Sequence, residues 1–268
     1  MQPYFFPYIG QFNLILAADR FLLCDEVQYI KKGWINRNRI ITYFFPYIGQ
    51  FNLILAADRF LLCDEVQYIK KGWINRNRII TQLNTVDYIT VPIQKHSSKE
   101  IIKNIYIANE LLWQKEILNK LKAYTKAPYY KEVSELVEFV VYSKKETIAE
   151  LNAICFETVC KYLDIPFKIE FTSSLNIDYS SVKRVEDWAI TISKAVSATE
   201  YLNPPGGMSI YENEYFKNAG IELKYIKPIT QVYKQFSNTF EANLSIIDVL
   251  MFNGSKGSKE LISKYEVI

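Results

Sequence analysis

The chain has one histidine, His96, and four cysteines, two of which (Cys24 and Cys63) are a single position in a repeated segment. His96 sits in a polar Gln-Lys-His-Ser-Ser run and reads as a surface residue rather than a base. Cys155 and Cys160 stand five apart on a helical stretch, a spacing that suits neither a zinc knuckle nor a redox pair, so both are expected in the core. These shortages exclude a Ser-His-Asp set, a Cys-His pair and a metal cluster. No apolar run approaches the ~20 residues of a membrane helix; the longest, 51–63, is broken by Asp58 and Arg59. A large excess of one charge is also lacking. The net charge is +3 and the pI about 8.4, which argues against bulk attraction to nucleic acid or membrane. What the chain does have is 49% hydrophobic residues, with 20 Tyr and 16 Phe. That is enough apolar surface to offset ordering entropy, so a folded α/β protein is expected rather than a disordered one.

Residues 4–42 recur letter for letter as residues 43–81. Evolved structural repeats diverge because each copy meets different neighbours, so two identical units read as a recent duplication or an assembly artefact, with a functional tandem pair as the alternative. Removing one 39-residue copy from the 268 residues leaves 229, the length of a single domain. Each copy carries a net +2, so the non-redundant unit is close to neutral. Residues 1–42 are therefore expected to be a surplus appendage and 43–268 the domain. The repeated unit needs a strand ahead of its helix, and Ile40 and Ile41 in 39–42 are placed to supply it to the second copy. The start MQPYFFPYIG has no basic region and no cleavage site, so a reducing cytoplasm is the expected setting.

Periodicity predicts a helix over 50–57 and a strand over 59–63, then strands over 86–93 and 101–107. Helices follow over 110–124, 130–141 and 145–163, a strand over 167–172, a helix over 185–195 and a strand over 200–202. A helix over 209–219, a strand over 222–226 and closing helices over 244–251 and 259–265 complete the chain. Alternating strands and helices favour an α/β class with a helical C-terminal half. Ser245 and Asp248 read as an N-cap and a first-turn acid.

The residues most suggestive of chemistry lie between Tyr43 and Thr81. Phe45-Pro46-Tyr47-Ile48-Gly49-Gln50 opens a helix whose unpaired N–H groups and dipole favour an anion, with Gly49 allowing close approach, or else is a proline-rich turn before a core helix. The arrangement resembles the nucleotidyltransferase-type α/β unit, in which His-x-Gly-His opens the first helix. That resemblance implies a single Rossmann-like, three-layer domain, with Tyr47 and Gln50 where the histidines would stand. Both donate to phosphate oxygen, but neither does so as a cation. If 70–78 is extended, Arg76 and Arg78 share one face and Asn75 and Asn77 the other. Two guanidiniums on one face form a clamp for phosphate or carboxylate, with Lys71, Trp73 and Gln67 in the same run. A solvated, charged edge strand is the alternative. Asp64 and Glu65 follow the 59–63 strand at the end where α/β sheets bind ligands, placed to act as general base or to hold a cation, or else as a surface acidic pair. Asn203-Pro204-Pro205-Gly206-Gly207 can cradle a ligand with backbone N–H groups, or be a tight connection. The run 253–259, Asn-Gly-Ser-Lys-Gly-Ser-Lys, reads as a mobile phosphate-binding loop.

Together, Gln2-Pro3-Tyr4-Phe5-Phe6-Pro7-Tyr8-Ile9-Gly10, the run from Asp64 to Arg78, Tyr124-Thr-Lys-Ala-Pro-Tyr129, Tyr201 to Gly207 and Leu244 to Asn253 resemble the WbqC-like family across nearly the whole unit. The departures are the duplication and the lack of a short strand before Met-Gln-Pro. The resemblance implies a place in bacterial O-antigen or other surface-polysaccharide biosynthesis. It also implies transfer of an aminoacyl (glycyl) group to a nucleotide-linked amino sugar, with Arg76 and Arg78 holding the diphosphate and Asp64 or Glu65 taking the amine proton. The alternative is a non-catalytic nucleotide- or sugar-binding accessory protein. No cofactor follows from the sequence; ATP fits an acyl-adenylate route. The expected partner is a small nucleotide-sugar, not nucleic acid or a membrane interior, and the oligomeric state is left open.

Overall fold

The computed structural model describes residues 43–268 apart from Gln82, Asn84, Ser237 and Asn238. The expectation for residues 1–42 lies outside the described residues. The chain enters through Phe44 and Phe45, both fully buried, with Phe45 at φ 40. The Asn77 side-chain amide holds this turn by donating to the Phe45 carbonyl at 2.8 Å and the Phe44 carbonyl at 3.3 Å. Helix α1, Ile48–Ala56, starts directly after Pro46-Tyr47, two residues earlier than its periodicity suggests, because the extended Tyr47 serves as N-cap.

A hairpin follows, β1 (Arg76–Ile80) antiparallel to β2 (Val86–Thr90), with Arg76 opposite Thr90 and Arg78 opposite Tyr88. Its alternation is as expected: Asn77 and Ile79 are buried, Arg76 and Arg78 half-buried. The expected strand at 101–107 is instead a 3-10 turn, Ile102–Asn104, flanked by single bridges. The Ile102 and Lys103 N–H groups donate to the Val66 and Asp64 carbonyls, and the turn still buries Ile102, Ile105 and Ile107.

Helices α2 (Trp113–Leu121), α3 (Tyr130–Val141) and α4 (Ile148–Tyr162) pack the larger core. α2 is shorter than 110–124 because Leu111 and Leu112 face outward, and residues 122–124 tighten into a 3-10 turn. α4 begins at a reciprocal cap, in which the Thr147 hydroxyl accepts from the Glu150 N–H and the Glu150 carboxylate from the Thr147 N–H. α5 (Val185–Ala195) leads into β3 (Glu200–Asn203), and α6 (Asn213–Asn218), closed by Gly220 at φ 77, into β4 (Glu222–Pro228). These four elements enclose a smaller core of Ala189, Ile190, Tyr211, Phe216 and Ile221.

The 253–259 run is not a loop. Helix α7, Ile246–Ile262, continues through it, kinked at Gly254 (φ 60, ψ −166), and β5 (Tyr265–Val267) replaces the end of the second expected helix. The polar side chains that suggested phosphate binding are used internally. Ser255 donates to the Tyr162 carbonyl, Ser258 to that of Val249 and Lys259 to that of Asp164. A Cβ on Gly254 would lie 2.5 Å from the Tyr129 ring. Gly254→Ala is therefore expected to cost about 2 kcal/mol or more from strained φ and steric conflict, read as a lowered urea midpoint.

Strands β3 and β4 are parallel and β5 pairs antiparallel with β4, giving a three-stranded sheet beside the two-stranded hairpin. The class is mixed α/β, as expected. A continuous Rossmann-like sheet is not formed among the described residues, where the expected strands 59–63 and 167–172 meet only in one parallel bridge, Leu62 with Phe171. No described helix is long and apolar enough to cross a membrane.

Candidate functional site

A cavity of about 350 Å³ opens where the entry turn, α1, β1 and the loop after β3 converge. It is lined by Tyr43, Pro46, Tyr47, Gln50, Trp73, Asn77, Arg78, Asn203, Pro204, Gly207 and Asn243. Tyr47, Gln50, Trp73, Asn77, Arg78, Asn203 and Gly207, singled out from distant parts of the sequence, thus meet at one place. Pro46 fixes the extended entry that aims Tyr47. Gly49 does not line the cavity, but a Cβ there would lie 2.4 Å from the Tyr47 ring, so its hydrogen is what lets that ring fold back. Gly207 works similarly: its Cα abuts the amide of the buried Asn203, where a Cβ would collide. Gly206 forms the preceding 3-10 turn.

Arg78 is the one charged side chain among those lining residues. Its Nη2 donates to the carbonyls of Ala242 (3.2 Å) and Asn243 (3.0 Å), and Nη1 lies 3.4 Å from Glu241. The guanidinium also lies 5.8 Å from the Trp73 ring centre, and its buried Nε has no hydrogen-bond partner among the described residues. Gln50 is 3% exposed, and its buried Oε1 likewise has none among them. Burial raises the Tyr47 and Tyr43 phenols, so both stay neutral near pH 7. The wall therefore offers one cation, neutral hydroxyls, amides and an indole face, with no carboxylate.

The two-arginine clamp is not assembled as expected. Arg76 folds onto its own turn, donating to the Gly72 and Lys71 carbonyls, and stacks on Tyr88 at 4.7 Å. Lys71, at φ 61, shapes that turn rather than the cavity. Asn75 is structural, donating to the Val91 carbonyl and accepting from the Tyr68 hydroxyl, and Gln67 donates to the Ser98 carbonyl.

Asp64 and Glu65 do not line the cavity. Asp64 is 3% exposed and accepts from the Thr172 hydroxyl and from the Ser173 N–H and hydroxyl, which ties 172–173 to the 59–63 segment. Glu65 pairs with Lys103 at 2.9 Å, and its carboxylate lies against the Tyr179 phenol, which it helps to push up. The preceding Cys63 thiol is pushed up to about 12 by burial and by these two carboxylates, which removes it as a nucleophile at neutral pH. Asn243 and Pro204 escaped the sequence reading as lining residues. Pro204 sat in a motif noted for its glycines. Asn243 adopts φ 56, a conformation asparagine tolerates, and only its distant contact with Arg78 brings it to the cavity.

No solved structure matches the chain. A Mycobacterium tuberculosis (strain ATCC 25618 / H37Rv) protein named "Uncharacterized protein Rv1507c" is 27% identical over 260 residues, an alignment that covers 96% of this chain and 93% of that protein. The sequence profile of the WbqC-like protein family matches residues 2–42 and again 42–260, so both copies of the repeat fall within matched stretches. The chain belongs to the WbqC-like protein family.

Proposed function

We propose that the chain serves bacterial surface-polysaccharide (O-antigen) biosynthesis by binding a nucleotide-linked amino sugar in the 350 Å³ cavity. The observation that supports this best is the wall itself. Arg78 lies against Trp73 among buried amides, held from behind by Glu241, and no carboxylate lines the cavity, which suits an anionic group, a planar ring and sugar hydroxyls together. Binding alone, as an accessory protein, is the reading this wall supports most directly.

Glycyl transfer to the amino sugar is the second reading; it rests on family membership alone, because Asp64 and Glu65 lie outside the cavity. The acyl donor is left unassigned.

Thermal-shift measurements with UDP-glucosamine test the binding reading. A ligand at 100 times its Kd adds about 2.7 kcal/mol, so a rise of several degrees is expected. Trp73→Ala, at a side chain more than a third exposed, should keep the unliganded melting temperature and lose the shift. Absence of any shift with nucleotides and nucleotide sugars would overturn the reading. Adding glycine and ATP and looking for the mass of one glycyl residue on the sugar separates transfer from binding.

A further inference from the structure

The cavity beside Arg78 is graded from mouth to floor. Trp73 is 39% exposed and the Arg78 side chain 25%, whereas Gln50 and Asn203 are 3% and 2% exposed. Gln50 comes from the first turn of α1 and Asn203 from the end of β3, so two carboxamides on separate elements reach one buried wall. Other buried amides of the chain hold the fold. Asn52 and Asn152 also have an unpaired oxygen, but their nitrogens donate to the Ile262 and Ile74 carbonyls, and Asn77 donates to those of Phe44 and Phe45. The Gln50 side chain holds no other described residue from either end. Burying an amide without a hydrogen bond is costly, and native structures pair such groups. An unpaired carboxamide on a cavity wall therefore points to a polar partner, and the charges say which kind. Arg78 is the one charged side chain of the lining, and no carboxylate lines the cavity among the described residues. An ammonium at the floor would shed its hydration with no counter-charge and beside a cation, whereas a neutral group escapes both costs.

We propose that the floor takes the N-acyl group of an acylated amino sugar, Gln50 Oε1 accepting its N–H and the Asn203 amide donating to its carbonyl, and that the free ammonium form is the poorer ligand. This rests on the nucleotide-sugar reading of the cavity and says which form of the sugar it selects. The grading of the wall sets the direction of the ligand. The base lies on the exposed Trp73, the diphosphate at Arg78 and the sugar at the buried amides. A secondary amide is trans, so its N–H and C=O point to opposite sides. One carboxamide cannot meet both, whereas two from different elements can. Glutamine and asparagine each carry an acceptor and two donors, so both bonds form without a charge on either partner. The class of reaction that must supply such a ligand is N-acylation of the sugar amine.

Isothermal titration of the full chain with UDP-N-acetylglucosamine, UDP-glucosamine and UDP tests this. At about pH 6, where an amine with a pKa of ~8 is protonated, the N-acetyl form should bind about tenfold or more tighter than either of the others. Between about pH 6 and pH 9 the affinity for UDP-glucosamine should rise as its amine loses the proton. That for the N-acetyl form should stay level, because arginine remains cationic and burial keeps the Tyr43 and Tyr47 phenols neutral. Gln50→Glu puts a carboxylate on the floor and should turn the preference toward UDP-glucosamine. Asn203→Asp, on a different element, should do the same, and the comparison on the unaltered chain needs neither variant to fold. Equal affinity for the two sugars, or tighter binding of UDP-glucosamine at about pH 6, would overturn this inference and leave the nucleotide-sugar reading standing. So would UDP binding as tightly as UDP-N-acetylglucosamine, which means that the sugar touches nothing. A chain that binds none of the three would overturn the nucleotide-sugar reading and this inference together.

Discussion

Replacing Asp248 with alanine is expected to lower the unfolding free energy by about 3–5 kcal/mol, because three buried donors lose their shared acceptor at ~1–3 kcal/mol each, less partial rehydration. Asp248 is fully buried on the first turn of α7. Its Oδ1 accepts from the Tyr124 hydroxyl at 2.8 Å, and its Oδ2 from the Tyr233 hydroxyl at 2.6 Å and Gln235 Nε2 at 2.8 Å. Gln235 in turn clasps the backbone of Glu241, donating to its carbonyl and accepting from its N–H. The next two residues, Ala242 and Asn243, receive Arg78. Loss of the carboxylate should therefore reach the cavity: a urea melt reads the stability, and the ligand shift should shrink with it. Tyr233→Phe, removing one donor, should cost about 1 kcal/mol. A loss below 1 kcal/mol in Asp248→Ala would mean that water replaces the network.

Asp248 also predicts a pH dependence. Burial raises its pKa, opposed by the hydrogen bonds from Tyr233, Gln235 and Tyr124. With a folded pKa above the unfolded value of ~4, the native state holds the proton more tightly. This group's contribution is complete below about pH 4 and is lost as pH rises through the folded pKa. Glu170, lowered by its hydrogen bond from Arg59, acts in the opposite sense: its contribution is present above the unfolded pKa and lost as pH falls. Glu170 and Arg59 are a surface pair, where such effects are small. Subtracting the melting profile of Asp248→Asn from that of the parent should leave a difference that declines from about pH 4 upward. A flat difference would show that Asp248 titrates alike in both states.

Local features of the fold were legible. α3 and α5 begin and end where the periodicity puts them, because Val133, Leu136, Val137 and Val140 recur on one helical face and Ala127-Pro128 punctuates the chain ahead of α3. What depends on distant partners was not. The 253–259 run has loop composition, yet Ser255 and Lys259 find carbonyls at Tyr162 and Asp164, more than 90 positions away, and the helix continues. The hydrophobic 101–107 run suggested a strand, but Val66 and Asp64 offer their carbonyls in turn geometry. The site divides the same way. The entry turn, Trp73, Asn77, Arg78 and the 203–207 loop carry compact local signals and do line one cavity. The role of Asp64 is set by Ser173, 109 residues on, and no spacing near Asp64 announces that bond.

The repeat permits a comparison few proteins offer, the same substitution in the same local sequence at two places. Phe51 is fully buried in α1, and its ring lies 5.6 Å from that of Phe156, which in turn packs against Phe60 and Phe167. Phe51→Ala leaves a cavity at the centre of this aromatic cluster and is expected to cost about 3–5 kcal/mol. α1 also carries Gln50 into the cavity and Tyr47 caps it, so the shift expected with UDP-glucosamine under the proposed function should shrink as well. The counterpart is Phe12, within an identical stretch of sequence. If 43–268 is the domain and 4–38 adds nothing to its core, Phe12→Ala should cost no more than about 0.5 kcal/mol. Identical flanks give the two variants the same helix propensity and closely similar unfolded states, so the difference between them isolates tertiary packing. Equal losses would mean that both copies are packed into cores, and a larger loss at Phe12 would move the domain boundary to the first copy.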